Sequence, residues 1–433
     1  MSISHVDVMY GAGKISLAVP RTGDDLMVLN MPETAPLVDP ELAIREALIA
    51  PRGTSPFTST VTPGDRVTIV IPDATRPLPP IILRTLLAEL RGASIPPSHI
   101  TITNGLGGHE AETSESLRRR LGADTCASYG IAQSDAQIPA DFVVMGETPA
   151  GRAFRLHESV ARADFIILVG MCEPHLWAGF SGHYKALLPG VVDAETLLEY
   201  HCPNNVGHPK STYLVTDGNP TFDFIQHCGL EVRRQKPVFL CNYTMDTQKN
   251  LTGFFAGDVG TAFDAARARV EADAKVECSR RYPMVVVTNG GYPADQNLYQ
   301  SAKGLSAAKN LVEPGGLIAL AAECCDGGPP GFLAQLRSFD SSRTLLRKLY
   351  ECKGRALRHD QWIGQTFAEI LASDVNVALF SSLPNRDVED VLGGAITPID
   401  ELPAFVQTML SGRYADQPVA IMPHGFYVIP QVV

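Results

Sequence analysis

The chain of 433 residues has no window of about 18 apolar residues, so no membrane-spanning helix is expected. It has no C-x-x-C pair either. Its nine cysteines, at positions 126, 172, 202, 228, 241, 278, 324, 325 and 352, are odd in number and scattered. That pattern argues against a disulfide framework or a four-cysteine zinc site, and points to a reduced, cytoplasmic compartment. The opening stretch MSISHVDVMYGAGKISLAVP lacks a basic leader and a continuous apolar run, so it reads as strand-like alternation rather than a secretory signal. Basic charge is in deficit: 36 Lys and Arg against 47 Asp and Glu give a net charge of −11, which disfavours nucleic acid or an anionic membrane as partner. No internal repeat and no low-complexity segment interrupts the chain. What remains, 45% hydrophobic and 19% charged residues, is the composition of a globular enzyme.

A chain of this length exceeds what one core accommodates, so two domains are expected. Apolar runs occur at 65–71 (DRVTIVI), 100–103, 164–170 (DFIILVG), 237–244, 283–288, 316–322, 375–381 and 417–422. Continuous Val, Ile and Leu suit strands buried on both faces, as in a parallel sheet. Between them lie helical patterns at 115–123, 261–277, 297–312 and 363–373. The alternation predicts an α/β fold: two α/β domains with mostly parallel sheets and the active site in the cleft between them. The stretch ADAKVECSRRY (272–282) marks the junction, giving domains 1–272 and 273–433, with the final strand free to return to the first domain.

The loops after these strands carry chemistry. VTIVI runs into PDATRP, ITIT into NGLGGHE, FIILVG into MCEPHLWAGFSGHYK, VVVT into NGGYPADQNLYQ and LIALAA into ECCDGGPPG. Ligands of open α/β sheets bind outside the carboxyl ends of the strands. Standard motifs fail on spacing: GFSGHYK is neither a P-loop nor G-x-S-x-G, NGLGGHE does not complete G-x-G-x-x-G, and H-E-x-x-H is absent.

A single histidine is by default a structural or surface residue. His109 and His175, however, each follow a buried strand, where an imidazole can exchange protons near neutral pH. His201, in LLEYHC, is a third candidate, while His183 and His208 read as structural. Lys185 is ten residues from His175 across flexible glycines, and its amine can form a covalent link. Arg76 carries a planar fork suited to a carboxylate, its alternative being an ion pair with Asp73. Gln296, Tyr299 or Gln300, and Lys303 fall on one helical face.

Taken together, PDATRP, the loop at His109, EPHLWAGFSGHYKALLPG, FFAGD (254–258), TNGGYPADQNLYQSAKG and DQW (360–362) resemble the lactate racemase family, the nickel-pincer nucleotide enzymes. The likeness runs in the same order from about residue 60 to the C-terminus. It implies a pyridinium-3,5-bisthiocarboxylate mononucleotide carrying nickel, covalently attached to Lys185. It further implies His201 as nickel ligand, His109 and His175 as catalytic residues, and Asp73, Ser181, Gly182, Tyr299 and Trp362 as cofactor contacts. Arg76, Gln300 and Lys303 are then substrate contacts. The implied reaction is racemisation or epimerisation of a 2-hydroxy acid by reversible hydride transfer through a bound 2-keto acid. Cofactor-synthesis enzymes are the implied partners; the sequence leaves the oligomeric state open, a homodimer among the alternatives.

The chain departs from the family pattern in places. Glu110 replaces an arginine, His183 and Tyr184 stand where glycine and arginine are expected, and Leu176 and Trp177 replace two phenylalanines. These changes point to a substrate other than lactate: a larger or more apolar 2-hydroxy acid, or an aldonic acid. A different alcohol handled by the same chemistry is the variant within the family. From other classes, the three histidines with Asp73 allow a zinc hydrolase with Lys185 structural, and the loops allow a non-catalytic binder of small carboxylates.

Overall fold

The computed structural model describes residues 3–328, 341–351, 360–383 and 396–433. Pro329, Pro330 and Gly331, at the end of the loop ECCDGGPPG, lie outside the described residues, as does Cys352. The chain forms two compact units, one of Glu33–His201 with Lys210–Glu271, the other of Met1–Pro32, Cys202–Pro209 and Ala272–Val433. Both are α/β, as the alternation of runs predicts. Among the described residues no helix is long and apolar enough to cross a membrane.

In the first unit a six-stranded sheet runs in the order Leu251–Gly257, Val238–Met245, Phe165–Met171, Val67–Pro72, Ile100–Gly105, Gly130–Gln133. All neighbours are parallel except the edge strand Leu251–Gly257, which is antiparallel. Ile69, Ile102, Ile166, Ile167, Leu168 and Leu240 are fully buried, which is why these segments are apolar without alternation. The sheet begins at Val67–Pro72 and grows outward through Ile100–Gly105 to Gly130–Gln133. It then returns to add Phe165–Met171 on the other side. The order therefore reverses between Val67–Pro72 and Phe165–Met171, and a crevice opens at the carboxyl ends of two such strands.

The second unit holds the sheet Ile396–Pro398, Asn376–Ser381, Val312–Ala321, Tyr282–Thr288, Val419–Met422, Leu26–Val28, parallel throughout. Its order reverses between Tyr282–Thr288 and Val419–Met422. The helix Leu298–Lys309 follows the first of these strands, capped by Asn297, whose side chain accepts from the Gln300 amide at 2.9 Å.

Two boundary expectations are corrected. The first 32 residues do not belong with the N-terminal unit, because Leu26–Val28 pairs with Val419–Met422 and the hairpin Ser4–Tyr10/Gly13–Val19 packs Val8 and Leu17 into the core of the C-terminal sheet. The final strand Ile429–Val432 does not return to the first unit either. It pairs in parallel with Lys275–Cys278, so the helix expected over 261–277 ends at Ala274 and its last residues become a strand.

Arg21 explains why the amino-terminal segment stays with its sheet. Its guanidinium is buried and donates to the carbonyls of Leu410 (3.0 Å), Tyr414 (3.0 Å), Gln417 (3.1 Å) and Pro20 (2.7 Å). Replacing Arg21 with Ala strands several carbonyls that have lost their donor. The expected loss is about 2 kcal/mol or more, read as a lower urea midpoint, and an unchanged midpoint would discount this anchor.

Candidate active site

The strand Val67–Pro72 ends at Asp73, whose carboxylate is buried and fully engaged. One oxygen accepts from the Thr75 amide (3.1 Å) and hydroxyl (2.6 Å), and the other receives Nδ1 of His109 in a short contact. Burial alone would raise this carboxyl. The charge and hydrogen bond of His109, with Arg76 and Thr75, outweigh it and hold Asp73 well below the usual carboxylate range. His109 arrives on the turn after Ile100–Gly105, closed by a bond from its amide to the Leu106 carbonyl at 2.9 Å. Its side chain is 36% exposed, so the ring edge away from Asp73 remains reachable.

Arg76 serves two carboxylates: its amide bonds the Asp73 carbonyl at 3.2 Å and its charge helps hold the Asp73 carboxyl low. Its Nε lies 3.0 Å from the buried carboxylate of Glu173, and its Nη1 donates to the Thr75 hydroxyl at 3.3 Å. Glu173 stands at the end of Phe165–Met171, so this pair ties the two strands that flank the reversal of sheet order. The ends of the three strands that carry Asp73, His109 and Glu173 are thus joined by side-chain bonds.

A half-buried polar network supports these loops. Arg120 donates to the Pro72 carbonyl (2.9 Å), the Asn104 side chain (2.9 Å) and Glu112 (2.6 Å). Glu112 also accepts from Asn104 (3.0 Å) and Ser116 (2.8 Å), and Gln133 bonds both the Glu112 amide and carbonyl. Pro72 directly precedes Asp73, so this network fixes the strand end from which the carboxylate projects.

After Glu173 the chain makes a short ladder, Pro174–His175 against Gly179–Phe180. Nδ1 of His175 accepts from the amides of Trp177 (3.3 Å) and Ala178 (3.2 Å). The Trp177 indole lies edge-on to His175 at 5.8 Å and to His201 at 5.5 Å. His201 ends the helix Ala194–Tyr200, which Asp193 caps through the Thr196 amide, and its Nδ1 lies 3.0 Å from the Leu197 carbonyl. A carbonyl only accepts, so the proton sits on Nδ1 and the lone pair on Nε2.

The segment leading to Lys185 is held by its own backbone. Ser181 donates its hydroxyl to the Met171 carbonyl (3.0 Å) and its amide to the Glu173 carbonyl (2.9 Å). Gly182 has φ +88°, and a Cβ there would lie 2.6 Å from the side-chain oxygen of Asn242. Only glycine fits both the angle and the space. Asn242 is buried and uses both ends of its amide, donating to the Gly170 carbonyl (2.9 Å) and accepting from the His183 amide (3.2 Å). Tyr184 fills a notch left by Gly229, where a Cβ would meet its ring at 2.1 Å. Lys185 follows on the turn His183–Ala186, its amide bonded to the Gly182 carbonyl at 3.0 Å. It is partly exposed.

Tyr299, Gln300, Lys303 and Trp362 belong to the other unit. Trp362 Nε1 donates to the Tyr299 hydroxyl at 2.6 Å, and the Lys303 ammonium lies over the Phe426 ring at 4.6 Å. Gln300 is buried on the first turn of the helix. Gln296 precedes the helix, which starts at Leu298, so the helical face expected to include it begins at Tyr299. Among the described residues no three or more His, Cys, Asp or Glu side chains come together to hold a metal, so the zinc arrangement of three histidines with Asp73 is not formed.

Glu173, Asn242 and the Arg120–Glu112 network carry the geometry without having been singled out from the sequence. An asparagine within PVFLCNYT was a usable signal, because a buried amide must find partners. Arg120 gave none, since its partners are set by long-range folding.

Comparison with known proteins completes the assignment. Residues 10–213 match the family model described as the lactate racemase N-terminal domain, and residues 277–430 the lactate racemase C-terminal domain. The chain is 26% identical to a lactate racemase of Thermoanaerobacterium thermosaccharolyticum over 437 residues, covering 99% of each. It is 30% identical to one of Lactiplantibacillus plantarum over 353 residues, covering 80% of each. The structure of the T. thermosaccharolyticum lactate racemase apoprotein superposes with a TM-score of 0.88, covering 99% of this chain and all of that one. A Thermotoga maritima protein at 15% identity and TM-score 0.68 shares the fold. The two family matches and the lactate racemase relatives make the chain a racemase, an enzyme of the isomerase class. The chain belongs to the lactate racemase family.

Two predictions follow from the Lys185 segment. Asn242→Ala leaves the His183 amide and the Gly170 carbonyl without their side-chain partner and should cost about 2 kcal/mol in denaturant unfolding; a loss within error would mean water replaces the amide. His183 is stacked on Phe222 at 5.2 Å, close to Phe263, and its Nδ1 is buried without a partner. Burial pushes its imidazole from 6.5 down to about 3 against a weaker upward pull from Asp258. Between those values the unfolded chain binds the extra proton and the folded chain does not, so stability falls as pH drops through the window. His183→Phe should lose stability less steeply than the parent when pH is lowered from about 7 to about 4. Parallel curves would refute a buried neutral ring.

Proposed function

We propose that the chain racemises or epimerises a 2-hydroxy acid, using a nickel-pincer nucleotide held covalently by Lys185. The observation that carries the cofactor is His201. With its Nδ1 proton directed to the Leu197 carbonyl, it presents a fixed lone pair on Nε2, the arrangement usual in metal-ligating histidines. Lys185 on its braced turn supplies the amine, and one imidazole beside soft sulfur suits square-planar nickel(II). Asp73, Ser181, Gly182, Tyr299 and Trp362 complete the proposed cofactor contacts.

Bound there, the nucleotide supplies an acceptor for the α-hydrogen as hydride, which avoids forming a carbanion beside an ionised carboxylate. The remaining work falls to the protein. Arg76, oriented by Glu173 and Thr75, presents a planar guanidinium to the substrate carboxylate, with Lys303 and Gln300 as further contacts. His109, braced by Asp73, and His175 handle the hydroxyl proton on either side of a planar 2-keto acid, which turns over between the two steps.

Trp177 bears on the substrate's identity. Glu110 is exposed, and His183 and Tyr184 are buried in an aromatic cluster, so these departures from the family pattern are taken up by surface and packing. Trp177 touches both His175 and His201. The proposed substrate is accordingly a 2-hydroxy acid other than lactate, with a side chain shaped to this indole.

The test is co-expression with the cofactor-synthesis enzymes, followed by intact denatured mass and nickel content, with Lys185→Ala as control. A nucleotide-sized mass increase with nickel, lost in the variant, is the expected result. An unmodified, nickel-free chain from a host in which another family member loads would overturn the cofactor assignment.

A further inference from the structure

We infer that the two proposed catalytic imidazoles are held in opposite tautomers, so that in the resting protein His109 is a proton acceptor and His175 a hydrogen-bond donor. This rests on the racemase reading for its consequence, but the tautomers themselves follow from hydrogen bonding alone.

At His109, Nδ1 meets a carboxylate oxygen of Asp73, which has no proton of its own to give while ionised. Thr75 donates to that carboxylate from both its amide and its hydroxyl, and Arg76 lies nearby, so Asp73 stays charged. Nδ1 therefore carries a proton, and in the neutral ring the lone pair is on Nε2. A proton taken up at Nε2 would give an imidazolium whose other N–H faces a carboxylate, the arrangement that supports a general base.

His175 is wired the other way. Its Nδ1 lies in front of two main-chain amides, Trp177 N at 3.3 Å and Ala178 N at 3.2 Å, both on buried residues. An amide N–H can only donate, so Nδ1 must keep its lone pair and the proton resides on Nε2. Moving that proton to Nδ1, or adding a second one there, would set an N–H against two N–H groups and leave both amides without an acceptor. The short ladder Pro174–His175/Gly179–Phe180 and the Trp177 indole against the ring oppose any rotation that would relieve this. His175 is thus a neutral ring that donates from Nε2, a role in which imidazole can polarise a substrate oxygen without first being protonated.

The site is therefore not symmetric toward the two stereoisomers. One whose hydroxyl meets His109 can lose its O–H proton to Nε2 at once: the O–H bond breaks, an N–H bond forms, and the positive charge is held by Asp73. The other, whose hydroxyl meets His175, faces a nitrogen that already bears hydrogen. Its oxidation to the keto acid, and in reverse the return of its hydroxyl proton when it is the product, needs a tautomer change at His175 that breaks both amide bonds.

The test reads the protons directly. Long-range proton–nitrogen correlation spectra of the unloaded protein labelled with 15N-histidine, with peaks assigned by His109→Gln and His175→Gln, should show a protonated Nδ1 and bare Nε2 for His109 and the reverse for His175. Finding the same tautomer in both rings, or a fast-exchanging mixture at His175, would overturn the inference. Because no cofactor or turnover is needed, this outcome is separate from the fate of the racemase reading, which the Lys185 adduct decides. In the loaded enzyme the first half-reaction, formation of the bound 2-keto acid from the stereoisomer served by His109, should slow about a hundredfold or more in His109→Gln. It should slow by no more than about tenfold in His175→Gln, whose carboxamide still donates a hydrogen bond. Equal losses would remove the asymmetry.

Discussion

A carboxylate taken out of water at the end of a strand must be paired, and Asp73 meets that requirement with groups from separate loops. His109 comes from the neighbouring strand end, Thr75 and Arg76 from its own turn, and Arg76 in turn reaches Glu173 on the strand across the reversal in sheet order. Losing any one partner would leave a buried charge under-satisfied, so these loops are held as a set. Much of the site's arrangement depends on this: the orientation of His109, the placement of the guanidinium and the start of the segment that leads to His175. The Arg120 network does the same, anchoring the carbonyl of Pro72 so that Asp73 has a fixed point of departure.

The Lys185 segment shows a second way of obtaining rigidity. It has no regular element longer than a turn, yet Asn242 holds its backbone through both ends of one amide, and Tyr184 and His183 are sunk among aromatic rings and beside Gly229. Such bracing matters most beside a residue proposed to form a covalent bond, because the amine must be delivered to one place. His183 gives up a hydrogen bond on its ring to sit there, which is why it behaves as an aromatic packing group rather than as an acid or base.

Much of the fold was legible because buried parallel strands write themselves as unbroken Val, Ile and Leu runs. The site was partly legible because strand-end loops in such sheets concentrate polar residues. What could not be read was the assignment of residues 1–32, since a short strand such as Leu26–Val28 has no signal naming the distant strand it will join. The second carboxylate at Arg76 was equally hidden, because Glu173 lies 97 residues away in sequence.

The sequence by itself determined the α/β class, the strands that carry His109, His175 and Lys185, and the glycine at 182, because periodicity and local backbone demands are written in neighbouring residues. Only the tertiary structure decided which nitrogen of each histidine holds the proton. That choice is made by groups as different as a carboxylate 36 residues away at His109, two amides of the same loop at His175, and the carbonyl of a preceding helical turn at His201. An imidazole has two nearly equivalent nitrogens, and the nearest fixed donor or acceptor in three dimensions tells them apart.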